Sequence, residues 1–127
     1  AYLAPRDYHV LVENGSFALS TDPPVSFARP SIDMLFESAA NEYRERAIGV
    51  VLTGANHDGA RGLTAIKLRG GVALVEDPAS AVCREMPDAA IAATEVDRIL
   101  PLQDIASCLG QLSNTTGELS RPGSDRR

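Results

Sequence analysis

A chain of 127 residues, 44% apolar and 23% charged, can bury one core and amounts to a small domain or a piece of a larger one. Its formal charge of -5 lacks the basic excess by which proteins hold nucleic acid, and it gives no reason to expect an anionic membrane surface as partner. No apolar run approaches the roughly 20 residues that a bilayer span needs, so membrane insertion is not expected.

In chain order, the opening Ala1-Tyr2-Leu3 has no initiator methionine, which raises the expectation of a segment upstream. His9 to Glu13, Asn14-Gly15 and Ser16 to Ser20 predict a hairpin, because Asn-Gly tolerates the positive φ of a two-residue type I′ turn. The Pro-rich stretch from Thr21 to Pro30 predicts a loop. Ser31 is placed as the N-cap of a helix to about Tyr43, with Ile32, Leu35, Phe36, Ala39 and Tyr43 on one stripe. Ala47 to Leu52 (AIGVVL) is uninterrupted and β-branched, as in a parallel strand covered on both faces.

Thr53 to Asp58 then predicts a loop, and Gly59 to Arg69 a helix closed by Gly70-Gly71. Val72 to Val75 predicts a second buried strand. Asp77-Pro78 predicts a helix start, Asp as cap and Pro at the first helical position, with Met86-Pro87 interrupting before a restart through Ala93. Arg98 to Leu100 predicts a third strand, and Gln103 to Leu112 a last helix with Ile105, Cys108, Leu109 and Leu112 on one side. Ser113 to Arg127 is polar with Gly and Pro and is expected to be a disordered tail, so the domain is placed at 1-112. Such alternation implies βαβ units in an α/β, doubly wound, mostly parallel sheet with helices on both faces, plus the hairpin. Ligands of such sheets bind beyond the carboxyl ends of the strands. That directs attention to Thr53 to Gly62 and places Asp58 at the end of a central strand.

Cys83 and Cys108, 25 positions apart in helix-like segments, lack the close spacing and histidine partners of a metal site. They read as buried thiols in a reducing cytoplasm. Asn114-Thr115-Thr116 matches a glycosylation acceptor, but no secretory signal gives it meaning. No cofactor is expected.

The loop Leu52-Thr53-Gly54-Ala55-Asn56-His57-Asp58-Gly59-Ala60 admits three readings. Asp58 could be the N-cap of the following helix, accepting amide bonds that a helix start leaves unpaired. The glycines could cradle a phosphate, although Gly54, Gly59 and Gly62 fit neither dinucleotide nor Walker spacing, and a carboxylate at the helix start would repel the anion. Or Asp58 could orient a histidine that activates a nucleophile, bonding the imidazole Nδ1–H and stabilising the imidazolium. Spacing alone does not choose among them. Ser31, Ser38 and Ser80 lie in helical patterns without a nucleophile elbow, and Ser31 is better explained as a cap. His9 reads as structural. His57 next to Asp58 suggests a metal pair, but a site needs three or four convergent ligands, so His57 is placed on a pocket rim.

Four segments, YLAPRDYH, RPSIDMLFESAA, IGVVLTGANHDGARGL and MPDAAI, in this order and at these separations, resemble the catalytic domain of CheB-type chemotaxis receptor methylesterases. The likeness runs from Tyr2 to Leu112. It implies a doubly wound α/β domain that hydrolyses glutamate γ-methyl esters on the cytoplasmic helices of methylated chemoreceptors, releasing methanol; some members also deamidate receptor glutamines. The family's L-T-G-M-G-x-D-G-A motif puts its triad aspartate on Asp58 and its oxyanion-hole methionine on Ala55. A backbone N–H survives that replacement, since any non-proline residue offers one, while the pocket loses a side-chain wall. Asn56 stands where the motif has glycine, and Asn tolerates the left-handed region. Thr53, Gly54, His57 and Met86 are expected to complete the pocket. The family's serine (G-A-S-T-G-G) and histidine (Q-H-M) segments do not occur in this chain and are expected upstream of Ala1. The chain alone is therefore expected to be inactive; the alternative is a truncated or degenerate domain acting as a binding module. Asp58→Asn is expected to leave the fold unchanged.

Overall fold

The computed structural model describes residue 3 and residues 7-20, 31-55 and 57-119. The expected loop of 21-30, Asn56, most of the YLAPRDYH segment and residues 120-127 lie outside the described residues.

β1 (His9–Glu13) and β2 (Ser16–Ser20) pair antiparallel, from His9 opposite Ser20 to Glu13 opposite Ser16. The turn between them takes φ of 51° at Asn14 and 79° at Gly15, both in the left-handed region that a type I′ hairpin demands. α1 (Ile32–Tyr43) packs against β1. Its Ser38 hydroxyl accepts the Val12 N–H at 2.9 Å and donates to the Leu35 carbonyl at 2.8 Å, which ties hairpin to helix.

A 3₁₀ turn at Arg44–Arg46 leads into β3 (Ile48–Val51), α2 (Ala60–Leu68) and β4 (Val72–Glu76). α3 (Glu85–Ala93), β5 (Arg98–Leu100) and α4 (Leu102–Leu119) follow. The three strands form a parallel sheet in the order β3-β4-β5. Alternation along them sends Val51, Ala73 and Val75 into the main core with Leu63 of α2 and Met86 and Ala90 of α3, while Ile32 and Phe36 of α1 pack at its margin. α4 packs on β4 and β5, and its Cys108 and Leu112 line a hollow with Val72 and Leu74, the β4 residues that point the other way. Residues 73-75 of β4 are fully buried because helices cover both sides. α2 ends as its glycines predict: the Gly71 N–H bonds the Ile66 carbonyl and the Gly70 N–H that of Lys67, with Gly70 at φ 89°.

Four expectations are corrected. Among the described residues the strand leading to Asp58 is not central, since β3 is at the edge of the three-stranded sheet and β4 is in the middle. No helix starts at Asp77-Pro78. The Asp77 carboxylate accepts the Ala79 N–H at 2.9 Å, closing a local turn that competes with helix, and Ser80 lies in that turn. Met86-Pro87 does not interrupt a helix but opens one, because Pro87 occupies the first turn of α3, where a missing N–H costs nothing. α4 runs past the expected end at Leu112 to Leu119, so the backbone of 113-119 is helical instead of irregular tail. Of the cysteines, Cys108 is buried on α4, whereas Cys83 is half-buried in the loop before α3.

Candidate active site

The loop that leaves β3 is held at two points. At its far end, Gly59 takes φ of 104°, a left-handed conformation open to glycine, and is itself the N-cap of α2. Asp58 is thus one residue too early to cap its own helix. Its carboxylate, buried with 4% exposure, turns instead to the start of α1. Asp58 Oδ1 accepts the Ser31 hydroxyl at 2.9 Å and the Asp33 N–H at 3.0 Å; Oδ2 accepts the Ile32 N–H at 2.6 Å. These amides belong to the first turn of α1, which has no carbonyls within its own helix to receive them. Ser31 is the N-cap by position but makes no side-chain cap bond, because its hydroxyl is engaged by Asp58.

Asp33 reciprocates. Its Oδ1 accepts the Gly59 N–H at 2.9 Å and the Gly62 N–H at 2.7 Å, at the start of α2. Each helix is therefore capped by a carboxylate carried at the start of the other, and each positive helix end sees a negative charge. Burial pushes the Asp33 carboxyl above the ordinary carboxylate range; the Gly62 N–H pulls it down, the Asp58 charge pushes it up again, and the Gly59 N–H and Arg61 oppose that.

His9, fully buried, accepts the Ser31 N–H on Nδ1 at 3.2 Å. A serine, a histidine and an aspartate thus meet, but in the wrong connectivity for nucleophilic catalysis. The Ser31 hydroxyl donates to the carboxylate instead of to the imidazole, and at 2% exposure it meets no substrate. Ser38 is committed to the hairpin contact. His57 is exposed, with Nε2 3.4 Å from Glu85 Oε2 at the start of α3. Among the described residues no group of three or more His, Cys, Asp or Glu could hold a metal ion, and no helix is long and apolar enough to cross a membrane.

At the near end of the loop, the Thr53 hydroxyl donates to the Cys83 carbonyl at 2.9 Å and accepts the Cys83 N–H at 2.7 Å. The Gly54 N–H bonds the Cys83 carbonyl at 3.0 Å, and the Met86 N–H bonds the Gly54 carbonyl at 3.1 Å. Met86 lies against the Gly54 backbone so closely that a Cβ there would overlap its sulfur, which is why this position takes glycine. Ala55 comes next, exposed, and among the described residues its N–H makes no hydrogen bond. Thr53, Gly54, Ala55 and Met86 are brought together; Asn56 lies outside the described residues.

Two participants are not singled out by the sequence: Asp33, placed only within a helix, and Glu76, beyond the end of its predicted strand. Glu76 had a signal: a carboxylate closing an otherwise apolar strand, Val72-Ala73-Leu74-Val75, at its carboxyl end. Asp33 had a weaker one, an acid in a first helical turn.

The CheB methylesterase family profile matches residues 1-109. The chain belongs to the CheB methylesterase family. It is 48% identical to a Leptospira interrogans relative over 92% of this chain and 61% of that protein. A protein-glutamate methylesterase/protein-glutamine glutaminase of Anaeromyxobacter dehalogenans is 42% identical over 87% of this chain and 33% of its own length. The crystal structure of the Thermotoga maritima CheB methylesterase catalytic domain matches with a TM-score of 0.83 and 33% identity, over 87% of this chain and 61% of that one. The chain thus spans about three fifths of that CheB catalytic domain and of the Leptospira relative. The expected fold class and family are borne out.

Proposed function

We propose that this chain is the C-terminal part of a catalytic domain that hydrolyses glutamate γ-methyl esters on the cytoplasmic helices of chemoreceptors, releasing methanol, and that glutamine deamidation is open to the same site. The observation that carries the reading is the Asp58 carboxylate: buried, beyond the carboxyl end of a parallel strand, held by three donors, at the motif position of the family's triad aspartate. In this reading an upstream serine attacks the ester carbonyl and an upstream histidine takes the serine's proton. Asp58 holds that histidine's tautomer and stabilises the imidazolium. The Ala55 N–H donates to the oxyanion of the tetrahedral intermediate, and the exposed loop leaves that donor open to a substrate. The same attack on a glutamine amide releases ammonia instead of methanol, which fits a glutaminase name in a relative.

The test is methanol release from methylated receptor, assayed with the chain alone and with the chain continuous with its upstream segment. The expected result is no turnover by the chain alone, since a nucleophile must lie within reach of its base, and turnover by the longer form. Turnover by the chain alone would make His57 or His9 the base and overturn these residue roles. A longer form that binds receptor without turnover would favour a binding module.

A further inference from the structure

Glu76 is a buried carboxylate that the proposed chemistry does not use. It is the last residue of β4, the middle strand, and only 3% of it is exposed. Burying a carboxylate is costly unless donors compensate it. Its two oxygens serve two partners: Oε1 accepts the Thr53 N–H at 3.0 Å, and Oε2 accepts the Ser80 hydroxyl at 3.3 Å. Thr53 is the second residue after β3 ends, beyond the ladder that pairs Val51 with Val75, so its amide has no strand partner and needs another acceptor. Ser80 stands in the turn after β4, and its single hydroxyl proton is shared between Glu76 and the Asp77 carbonyl at 3.1 Å.

Glu76 therefore bridges the loop leaving β3 to the turn leaving β4, across the carboxyl ends of both strands. From Thr53 the chain runs through Gly54, clamped between Cys83 and Met86, to Ala55. The amide that Glu76 holds is two residues before the proposed oxyanion donor. No other described side chain fixes the near end of this loop from within the sheet.

We propose that Glu76 is a positioning residue: by accepting the Thr53 N–H it sets the height and tilt of the Thr53-Gly54-Ala55 backbone, and so aims the Ala55 N–H at the developing oxyanion. The inference rests on the esterase reading and deepens it. What the site needs from Glu76 is an oxygen at the right reach, not its charge. A glutamine would keep a carbonyl oxygen for Thr53 and turn its amide to the Ser80 oxygen, whereas an aspartate keeps the charge but falls one methylene short.

The test is steady-state hydrolysis of methylated receptor by the longer, active form carrying Glu76→Gln, Glu76→Asp or Glu76→Ala, with Asp58→Ala beside them. An oxyanion donor acts in the transition state, so its misplacement lowers kcat and spares KM. The expected result is a kcat loss of about tenfold or more for Asp and Ala, KM within about twofold, and recovery to within about threefold of wild type for Gln. If the Ala variant does not fold, the comparison of Asp with Gln decides alone, because both fill the space. Equal kcat in Asp and wild type, a loss as deep in Gln as in Asp, or a loss confined to KM would overturn the role. Full turnover by Asp58→Ala would overturn the triad role of Asp58, whereas no hydrolysis by the unsubstituted longer form would overturn the esterase reading and this inference together. Loss in Asp58→Ala with none in the Glu76 variants would overturn this inference alone.

Discussion

The two ends of the loop between β3 and α2 are held by different means. At the Asp58 end, two carboxylates exchange places, each receiving amides from the other's helix, and the bonds lie inside the contact between α1 and α2. At the Thr53 end, the bonds are mostly backbone to backbone or hydroxyl to backbone, in a half-exposed stretch zipped to the segment before α3. Under the proposed triad role, the first arrangement has one group serve both packing and chemistry, so a change there is expected to move stability and turnover together. In the second, the loop is bent by its surroundings without being part of the core, so a change there can shift turnover while leaving most of the stability in place.

The sharpest test of that contrast is Asp58→Asn. In the active form turnover should fall by about 10³- to 10⁴-fold, as when an amide holds a triad histidine in the wrong tautomer. The fold should be kept, but at a cost in stability. Both carboxylate oxygens accept, so in either orientation the new amide faces an N–H or O–H donor. Urea unfolding of the chain should show a loss of about 1–3 kcal/mol. An unaltered midpoint would mean that α1 does not depend on this cap, and the contrast would break.

Gly54→Ala probes the other end. The added methyl must displace Met86, and we expect kcat to fall about tenfold. Melting should show a loss of only about 1 kcal/mol, smaller than that of Asp58→Asn, because the flexible Met86 side chain can give way to the methyl. A variant that lost stability and kept full kcat would show that this end, too, is a structural clamp.

Smaller effects separate charge from geometry in the helix clasp. Asp33→Ala removes both bonds to the start of α2 and should cost about 2 kcal/mol, at roughly 1 kcal/mol for each cap interaction. Asp33→Asn keeps the Oδ1 acceptor that takes both amides and should cost well under half of that. Denaturation of the two variants side by side checks the ratio; equal losses would make the negative charge, not the acceptor, the source of stability.

The smallest expected effect is one of pH. The folded Asp33 carboxyl lies above its unfolded value of 3.8, so between those two values the folded state binds more protons than the unfolded chain. The resulting stability is fully present below the unfolded value and is lost as pH rises through the folded one. Wild type should therefore gain on Asp33→Asn as pH is lowered from 7 toward about 4. A gap that stayed flat or moved the other way in urea titrations at both pH values would show that the amides of Gly59 and Gly62 outweigh burial at this carboxyl.

Much of the architecture was legible because it is written in local pattern. Asn14-Gly15 requires a tight hairpin, the Val72-to-Val75 run requires cover on both faces, and Gly70-Gly71 ends a helix, all through the φ preferences and periodicity of residues close in sequence. The helix expected from Asp77-Pro78 failed for an equally local reason, since an aspartate that starts a helix can as well close a turn. The motif around Asp58, set among three others in order, is enough to indicate the family. What the residues alone left open was which helix Asp58 caps. Its donors come from residues 25 to 27 positions earlier, and a helix start accepts whichever carboxylate the packing delivers. Folding of α1 onto α2 settled that Asp58 and Asp33 cap each other's helix and that the Ser31 hydroxyl serves the aspartate, and pairing of β3 with β4 settled that Glu76, a carboxylate at the end of an apolar strand, reaches the amide of Thr53 in the loop after the strand beside it. Sequence position carries none of this, because hydrogen-bond partners at such separations are chosen by where the sheet and helices meet and not by the residues on either side.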